Sequence, residues 1–464
     1  MRRSPAGATA GVTHRSPGCT PQVTAELTRV HPAVTLRPVD ITLIVVLVIA
    51  LALFFDFTNG FHDTANAMAT PIATGAMKPK VAVTVAAILN LVGAFLSTEV
   101  ARTVSGGIIR EGDGGVQITP EMIFAGLIGA VVWNMFTWLR GLPSSSSHAL
   151  FGGLIGAAIV GAGMGSVDFG VVLSKVVLPA LLAPLIAGVV GYTATRLAYT
   201  ITRRRDDKSE RGGFRYGQIF TSSLVALAHG TNDAQKTMGV ITLTLIAGGL
   251  LTPDSGPPFW VVVVCAFAIA LGTYTGGWRI IQTMGGGLTE VKPTQGFSAE
   301  ASTTATVLAS SHLGFALSTT QVASGSIIGA GLGRRGSKIQ WGTAGKIVVA
   351  WFITLPASAA VGAVAALIAT LGVTGLVIDA VVGAVVIAGI FVLSRRRPHD
   401  QGSAIEVDVA ATSVLSRRRA RRAVRKGRVD TPASGVEAPF VRMDDPPEPV
   451  PAPRGTAPAD DEVR

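Results

Sequence analysis

At 464 residues, 48% apolar and only 14% charged, the chain carries too little charge for a soluble protein and falls among polytopic membrane proteins. Its net charge of +11 is uneven, with basic residues gathered in Arg203–Arg215 and after Ser394, including Arg417–Arg428. Beside long apolar runs, such clusters read as cytoplasmic anchors and not as a nucleic-acid surface. Two cysteines, Cys19 and Cys265, exclude a disulfide framework or a cysteine metal site.

Residues 1–38 are rich in Pro, Ser, Thr and Ala without apolar periodicity and read as disordered. No apolar core of a signal peptide lies near Met1, so Ile41–Phe55 is taken as the first span. Since a helix needs about 20 apolar residues to cross a bilayer, the candidates in a first repeat (39–200) are Ile41–Ala76, Val81–Leu96, Ile123–Leu139, Leu150–Gly163 and Val172–Tyr199. A basic connecting loop, 201–215, follows. A second repeat (216–394) offers Ile219–Leu251, Phe259–Thr275, Ser302–Ser311, Ile327–Leu332, Ile347–Leu371 and Val373–Leu393. Several of these are too short to cross alone, and Leu150–Gly163 and its later counterpart read as arms of re-entrant hairpins. Residues 395–464 are charged and Pro-rich and read as a disordered cytoplasmic tail.

The stretch Asp56-Phe57-Thr58-Asn59-Gly60-Phe61-His62-Asp63-Thr64-Ala65-Asn66 interrupts the first apolar run. Ionisable groups inside a span mark function by default, and glycine flanked by Asn and Asp suits a helix that unwinds locally. A helix ending in a polar loop is the plainer reading, but the stretch has a twin: Gly60, Asp63 and Met68 recur as Gly230, Asp233 and Met238, a shift of 170 residues. Ser145-Ser146-Ser147 and Ile155-Gly156-Ala157 likewise recur as Ser318-Thr319-Thr320 and Ile328-Gly329-Ala330, shifted by 173. Two motifs repeated in order make the chain a tandem duplication. Interrupted spans at matching positions of two halves point to a midplane binding site. The expected fold is an all-α, polytopic helical bundle of two repeats, read as inverted, with broken helices and re-entrant hairpins.

Ser145, Ser146, Ser147, Ser318, Thr319 and Thr320 open short apolar helices, where hydroxyls and free N–H groups form an anion site without arginine. Hydroxyls at such places also cap helices or mediate close packing. Asp63 and Asp233, with Asn66, Asn232 and Asn59, supply oxygen ligands for a cation, and a carboxylate there equally suits a proton. Lys236 is read as either a neutraliser of Asp233 or a contact to the anion. His62, His148 and His229 stand in or beside these elements and are candidate proton relays or neutral hydrogen-bonding groups. Glu300 is either a coupling site or the partner of Arg279. No metal-ligand spacing or nucleophile elbow appears, and the Ser144–Ser147 run with His148 lacks a third triad member, so an enzyme is not expected.

On Asp56–Thr70, Gly141–Ala157, Ala226–Leu243, Gly277–Met284, Pro293–Glu300 and Ser311–Ala330, the chain resembles the inorganic phosphate transporter (PiT) family, bacterial low-affinity branch. The resemblance covers roughly Ile41 to Leu393. It implies a secondary symporter in the cell membrane, importing inorganic phosphate with a cation and needing no resident cofactor. It carries the central site to Asp63, Asn66, Asn232, Asp233, Ser145–Ser147 and Ser318–Thr320, and links Glu300 to transport. Where sodium-coupled members have Gly-Ala-Asn-Asp this chain reads Gly60-Phe61-His62-Asp63, which leans towards protons over sodium. Members of this type are thought to take phosphate as a neutral complex with a divalent metal. A homo-oligomer is compatible with the sequence. The alternatives are a carrier of another oxyanion, such as sulfate or arsenate, and a re-entrant-loop anion channel; the buried acid pair favours a coupled carrier.

Overall fold

The computed structural model describes residues 38–107, 118–202, 207–315 and 317–396. The segment 1–38, apart from its last residue, and the tail 395–464, apart from its first two, lie outside these. Among the described residues all extended regular structure is helical: α1 (Pro38–Ala73), α2 (Pro79–Gly93), α3 (Glu99–Gly107), α4 (Pro120–Leu139), α5 (Ser146–Ala162), α6 (Phe169–Val172), α7 (Leu178–Thr202), α8 (Asp207–Ala247), α9 (Phe259–Thr275), α10 (Trp278–Gly285), α11 (Pro293–His312), α12 (Thr319–Gly333), α13 (Trp341–Ala369) and α14 (Val373–Arg396). A π-helical turn, Leu173–Val177, joins α6 and α7 into one apolar span, Phe169–Thr202. Residues 207–215 of the expected basic loop are instead the first turns of α8, and 203–206 lie outside the described residues.

Local chemistry explains the starts and turns. Proline opens α2, α4 and α11, where its missing N–H costs nothing. Thr119, Ser145 and Ser318 cap α4, α5 and α12 through their hydroxyls. The α4–α5 and α11–α12 hairpins turn through Gly141 (φ 64°) and Gly314 (φ 70°), twins in the left-handed region that suits glycine.

Among the described residues, five helices are long and apolar enough to cross a membrane: Leu43–Ala73, Pro120–Leu139, Phe169–Thr202, Trp341–Ala369 and Val373–Arg396. The α9–α10 pair is a sixth candidate, bent by 68°. The outward faces of α7 and α14 expose Leu185, Val189, Val381 and Val385, whereas Asp63, Asn66, Asp233 and Lys236 are buried. A fold with its apolar side chains outside and its charges inside is built for lipid.

The broken helices expected at the two Asp motifs are not there. Both α1 and α8 run unbroken through Asp56–Asn66 and Gly230–Met238. Hydroxyls within the motifs turn back on their own helix, Thr58 to the Phe55 carbonyl (2.8 Å) and Thr64 to that of Gly60 (2.7 Å), while the carboxylates find side-chain partners elsewhere. No backbone group has to open for them. The interruptions lie instead at the bend between α9 and α10 and at the two hairpin tips.

The packing pairs the halves. Helix α1 packs on α9 as α8 packs on α2, α5 on α13 as α12 on α7, and α1 on α10 as α8 on α3. Glycines set these contacts: Gly272 lies against the Phe57 carbonyl as Gly93 lies against that of Leu227, and Gly156 meets Ala359 as Gly329 meets Gly188. Helix α14 falls outside this pairing. Helices α1 and α8 touch through Val45 with Gly248, Asp63 with His229, and Thr74 with Gln218. Numbers rise along one helix as they fall along the other, so these twins are antiparallel.

Candidate functional site

Where α1 and α8 cross, both hairpin tips meet them. Asp63 accepts from Ser146 at the start of α5 (3.0 Å) and from Thr320 at the start of α12 (3.2 Å). His62 Nδ1 lies 2.6 Å from its Oδ1. Asp233 accepts from Thr319 (2.9 Å) and Asn232 (3.0 Å), pairs with His229 Nε2 at 2.8 Å, and forms a close ion pair with Lys236. Thr319 also lies 3.5 Å from Asp63, but one hydroxyl proton serves one acceptor, and the shorter contact is to Asp233. Asn66 donates to Thr319 and Thr320 at 3.2 and 3.1 Å. Three donors, Ser147 (3.3 Å), Asn232 (3.0 Å) and Lys236 (2.9 Å), converge on the Leu317 carbonyl just ahead of α12.

The cluster is buried throughout; Asp63 is 2% and Asp233 0% exposed. Charge this deep is tolerable only when paired and hydrogen-bonded. Two carboxylates face one ammonium, and two helix N-termini add the partial positive charge of their free N–H groups. The hydroxyls read from the sequence as anion donors here donate to the acids, so the two sets of groups meet in one place. Asp63, His229 and Asp233 each offer a ligand atom within 4.8 Å of the others, a set that could hold a metal ion. Asn66 Oδ1 and Asn232 Oδ1 have no hydrogen-bond partner and add two oxygen donors beside it.

Of the residues read from the sequence, Asp63, Asn66, Asn232, Asp233, Ser146, Ser147, Thr319, Thr320, His62, His229 and Lys236 come together. Lys236 pairs with Asp233 and reaches the Leu317 carbonyl. Ser145 and Ser318 hold the helix caps, accepting from the N–H of His148 (3.2 Å) and Gln321 (3.3 Å). Those two residues are themselves twins and meet each other, Gln321 Nε2 lying 3.4 Å from His148 Nδ1. Asn59 is buried one turn before Asp63 with its carbonyl unpartnered.

Glu300 stands apart from the centre. Thr70, about 10 Å along α1 from Asp63 at 1.5 Å per residue, makes a short hydrogen bond to it; Thr221 (2.7 Å) and Gln218 (3.3 Å) donate as well. Arg279 is not its partner: that guanidinium closes the C-terminal end of α4 through the Leu139 carbonyl (2.9 Å) and holds the Ser394 carbonyl (2.8 Å). Gln218 also accepts from Thr74 (2.7 Å), which lines a cavity of about 980 Å³ walled by Arg196, Lys292, Arg334 and Arg335.

The sequence reading missed Thr70, Gln218, Thr221 and the Leu317 carbonyl. A signal for the first existed: Asp56, Asn59, Asp63, Asn66, Thr70 and Thr74 recur every three or four residues, one polar stripe on an apolar helix. A backbone carbonyl leaves no such trace.

Comparison with known proteins agrees with this architecture. The chain is 56% identical over 321 residues to a probable low-affinity inorganic phosphate transporter of Mycobacterium tuberculosis (strain ATCC 25618 / H37Rv), covering 69% of this chain and 76% of that one. A protein of the same description from Bacillus subtilis (strain 168) is 42% identical over 327 residues, 70% of this chain and 97% of its own. A solved structure described as the sodium-dependent phosphate transporter shares the fold, with a TM-score of 0.64 and 23% identity over 71% of this chain and all of that one. The phosphate transporter family model (PHO4) matches residues 59–362. With its duplicated Asp motifs and hydroxyl-tipped hairpins inside that span, the chain belongs to the phosphate transporter family.

Proposed function

We propose that this membrane protein is a secondary active symporter that imports inorganic phosphate together with a cation, proton or sodium. The observation that carries the reading is the convergence of two hydroxyl-bearing helix starts on one buried pair of aspartates. In this reading phosphate takes over Ser146, Ser147, Thr319 and Thr320 once the driving cation occupies the acids. Bringing the two ions in together lowers the cost of holding either charge out of water. The two halves act as inverted repeats and rock about the α1–α8 crossing, a motion supported by the antiparallel pairing of the twin helices. Uptake of labelled phosphate into proteoliposomes, with pH and sodium gradients imposed separately, tests this. Accumulation under one gradient and not the other identifies the ion, and leak without accumulation would mean a channel.

A second reading has its own support: Asp63, His229 and Asp233 form a mixed oxygen and nitrogen set suited to a divalent metal. Phosphate would then enter as a neutral metal complex. Labelled manganese and labelled phosphate should enter in fixed proportion; phosphate uptake unaffected by a chelator excludes the complex.

A further inference from the structure

Two turns before Asp63 on the same face of α1, Asp56 is 0% exposed, and neither of its oxygens has a hydrogen-bond partner of ordinary geometry. The Thr237 hydroxyl of α8 stands beside it, also fully buried and without another partner. Asn59, one turn further along α1, has its carbonyl oxygen buried and unpartnered. The Asp56 carboxylate therefore receives no donor, from the Thr237 hydroxyl, the Asn59 amide or any other described group. The deficit is in donors. Glu300 shows the contrast, because it is as deeply buried yet takes three donors from Thr70, Thr221 and Gln218.

Two kinds of guest would supply what is missing, a proton or a metal cation. The charged and titratable groups that face Asp56 are Asp233, His229 and Lys236 on α8 and Cys265 on α9. Lys236 is committed to Asp233 and the Leu317 carbonyl, and His229 to Asp233, so none of them completes Asp56. A metal cation would lie close to the Lys236 ammonium with few oxygens around it, short of the six or so that hard cations take. A proton needs neither space nor a full shell. Bound to Asp56, it turns a carboxylate oxygen into a donor for the neighbouring Thr237 Oγ1 and satisfies two groups at once.

We infer that Asp56, with Asn59 and Thr237, forms a proton-binding site separate from the Asp63–Asp233 centre, and that the proton it takes up is coupled to transport alongside the cation at that centre. The inference rests on the symport reading above. The site is single, because the twin positions of Asp56 and Thr237 are Ala226 and Ala67. One proton per cycle is therefore its share of the coupling.

The test uses the full chain in proteoliposomes with labelled phosphate and reads two processes. Phosphate exchange at equal pH needs no return of an empty, deprotonated carrier; accumulation driven by a pH gradient does. Asp56→Asn should keep exchange, lose accumulation and lose the infrared difference band of a buried protonated carboxylic acid. Asp56→Glu should regain accumulation with a displaced pH midpoint. Asp56→Asn accumulating like the wild type, losing exchange along with accumulation, or retaining the band would each overturn the inference. Wild-type protein that exchanges phosphate but accumulates it on sodium alone would also overturn it, leaving the transport reading intact. Wild-type protein without exchange would sink the transport reading itself.

Discussion

Asp63 and Asp233 occupy twin positions but do not play the same part. Asp63 is held by neutral hydroxyls and His62, Asp233 by an ammonium and His229. Asp63→Asn keeps the shape and an acceptor while removing the charge on which the proposed cation site depends. Phosphate uptake should fall to background with normal insertion, as measured by labelled uptake beside membrane yield. Asp233→Asn is different, because it strands Lys236 in the interior, and breaking such a pair costs about 3–5 kcal/mol. The single variant should be poorly stable in detergent. Adding Lys236→Met should recover most of that stability without recovering transport, a non-additivity that a double-mutant cycle on melting midpoints reads directly.

The helices are positioned by what they lack. Gly272 of α9 and Gly93 of α2 let the backbones of α1 and α8 approach until a carbonyl touches the Cα position. The same device sets α5 on α13 and α12 on α7 through Gly156 and Gly329. In lipid, where burial of apolar side chains gives no net drive, such close packing is what holds helices together. A side chain at any of these four places meets rigid backbone, with an overpacking cost of about 1–3 kcal/mol or more. Gly272→Val and Gly93→Val should both lower the melting temperature of the purified protein and reduce uptake. Equal changes at an exposed glycine such as Gly342, with open space around it, should do neither.

For the whole molecule, the antiparallel run of α1 and α8 has a consequence for topology. If the halves are inverted repeats, the α1–α2 turn and its counterpart between α8 and α9 face opposite sides of the membrane. Cysteines introduced at Lys78 and Asp254, both exposed, should react with an impermeant maleimide from opposite sides in a chain carrying Cys19→Ala and Cys265→Ala. Labelling from one side would make the repeats parallel. The cavity lined by Arg196, Lys292, Arg334 and Arg335 lies at the Lys78 end, since Thr74 also lines it.

Much of this was legible in the linear chain, because polar residues in an apolar run and a motif repeated 170 residues on are local features. The duplication, the hydroxyl-tipped hairpins, the acid pair and the kinship with phosphate transporters all follow from them. Tertiary structure alone decided the rest. That Thr319 serves Asp233 while Thr320 serves Asp63, that Glu300 takes Thr70 and not Arg279, and that α1 and α8 stay unbroken depend on how segments distant in sequence come into register. That register is set by glycine-to-carbonyl contacts between helices, and a residue's neighbours along the chain say nothing of which backbone it will touch.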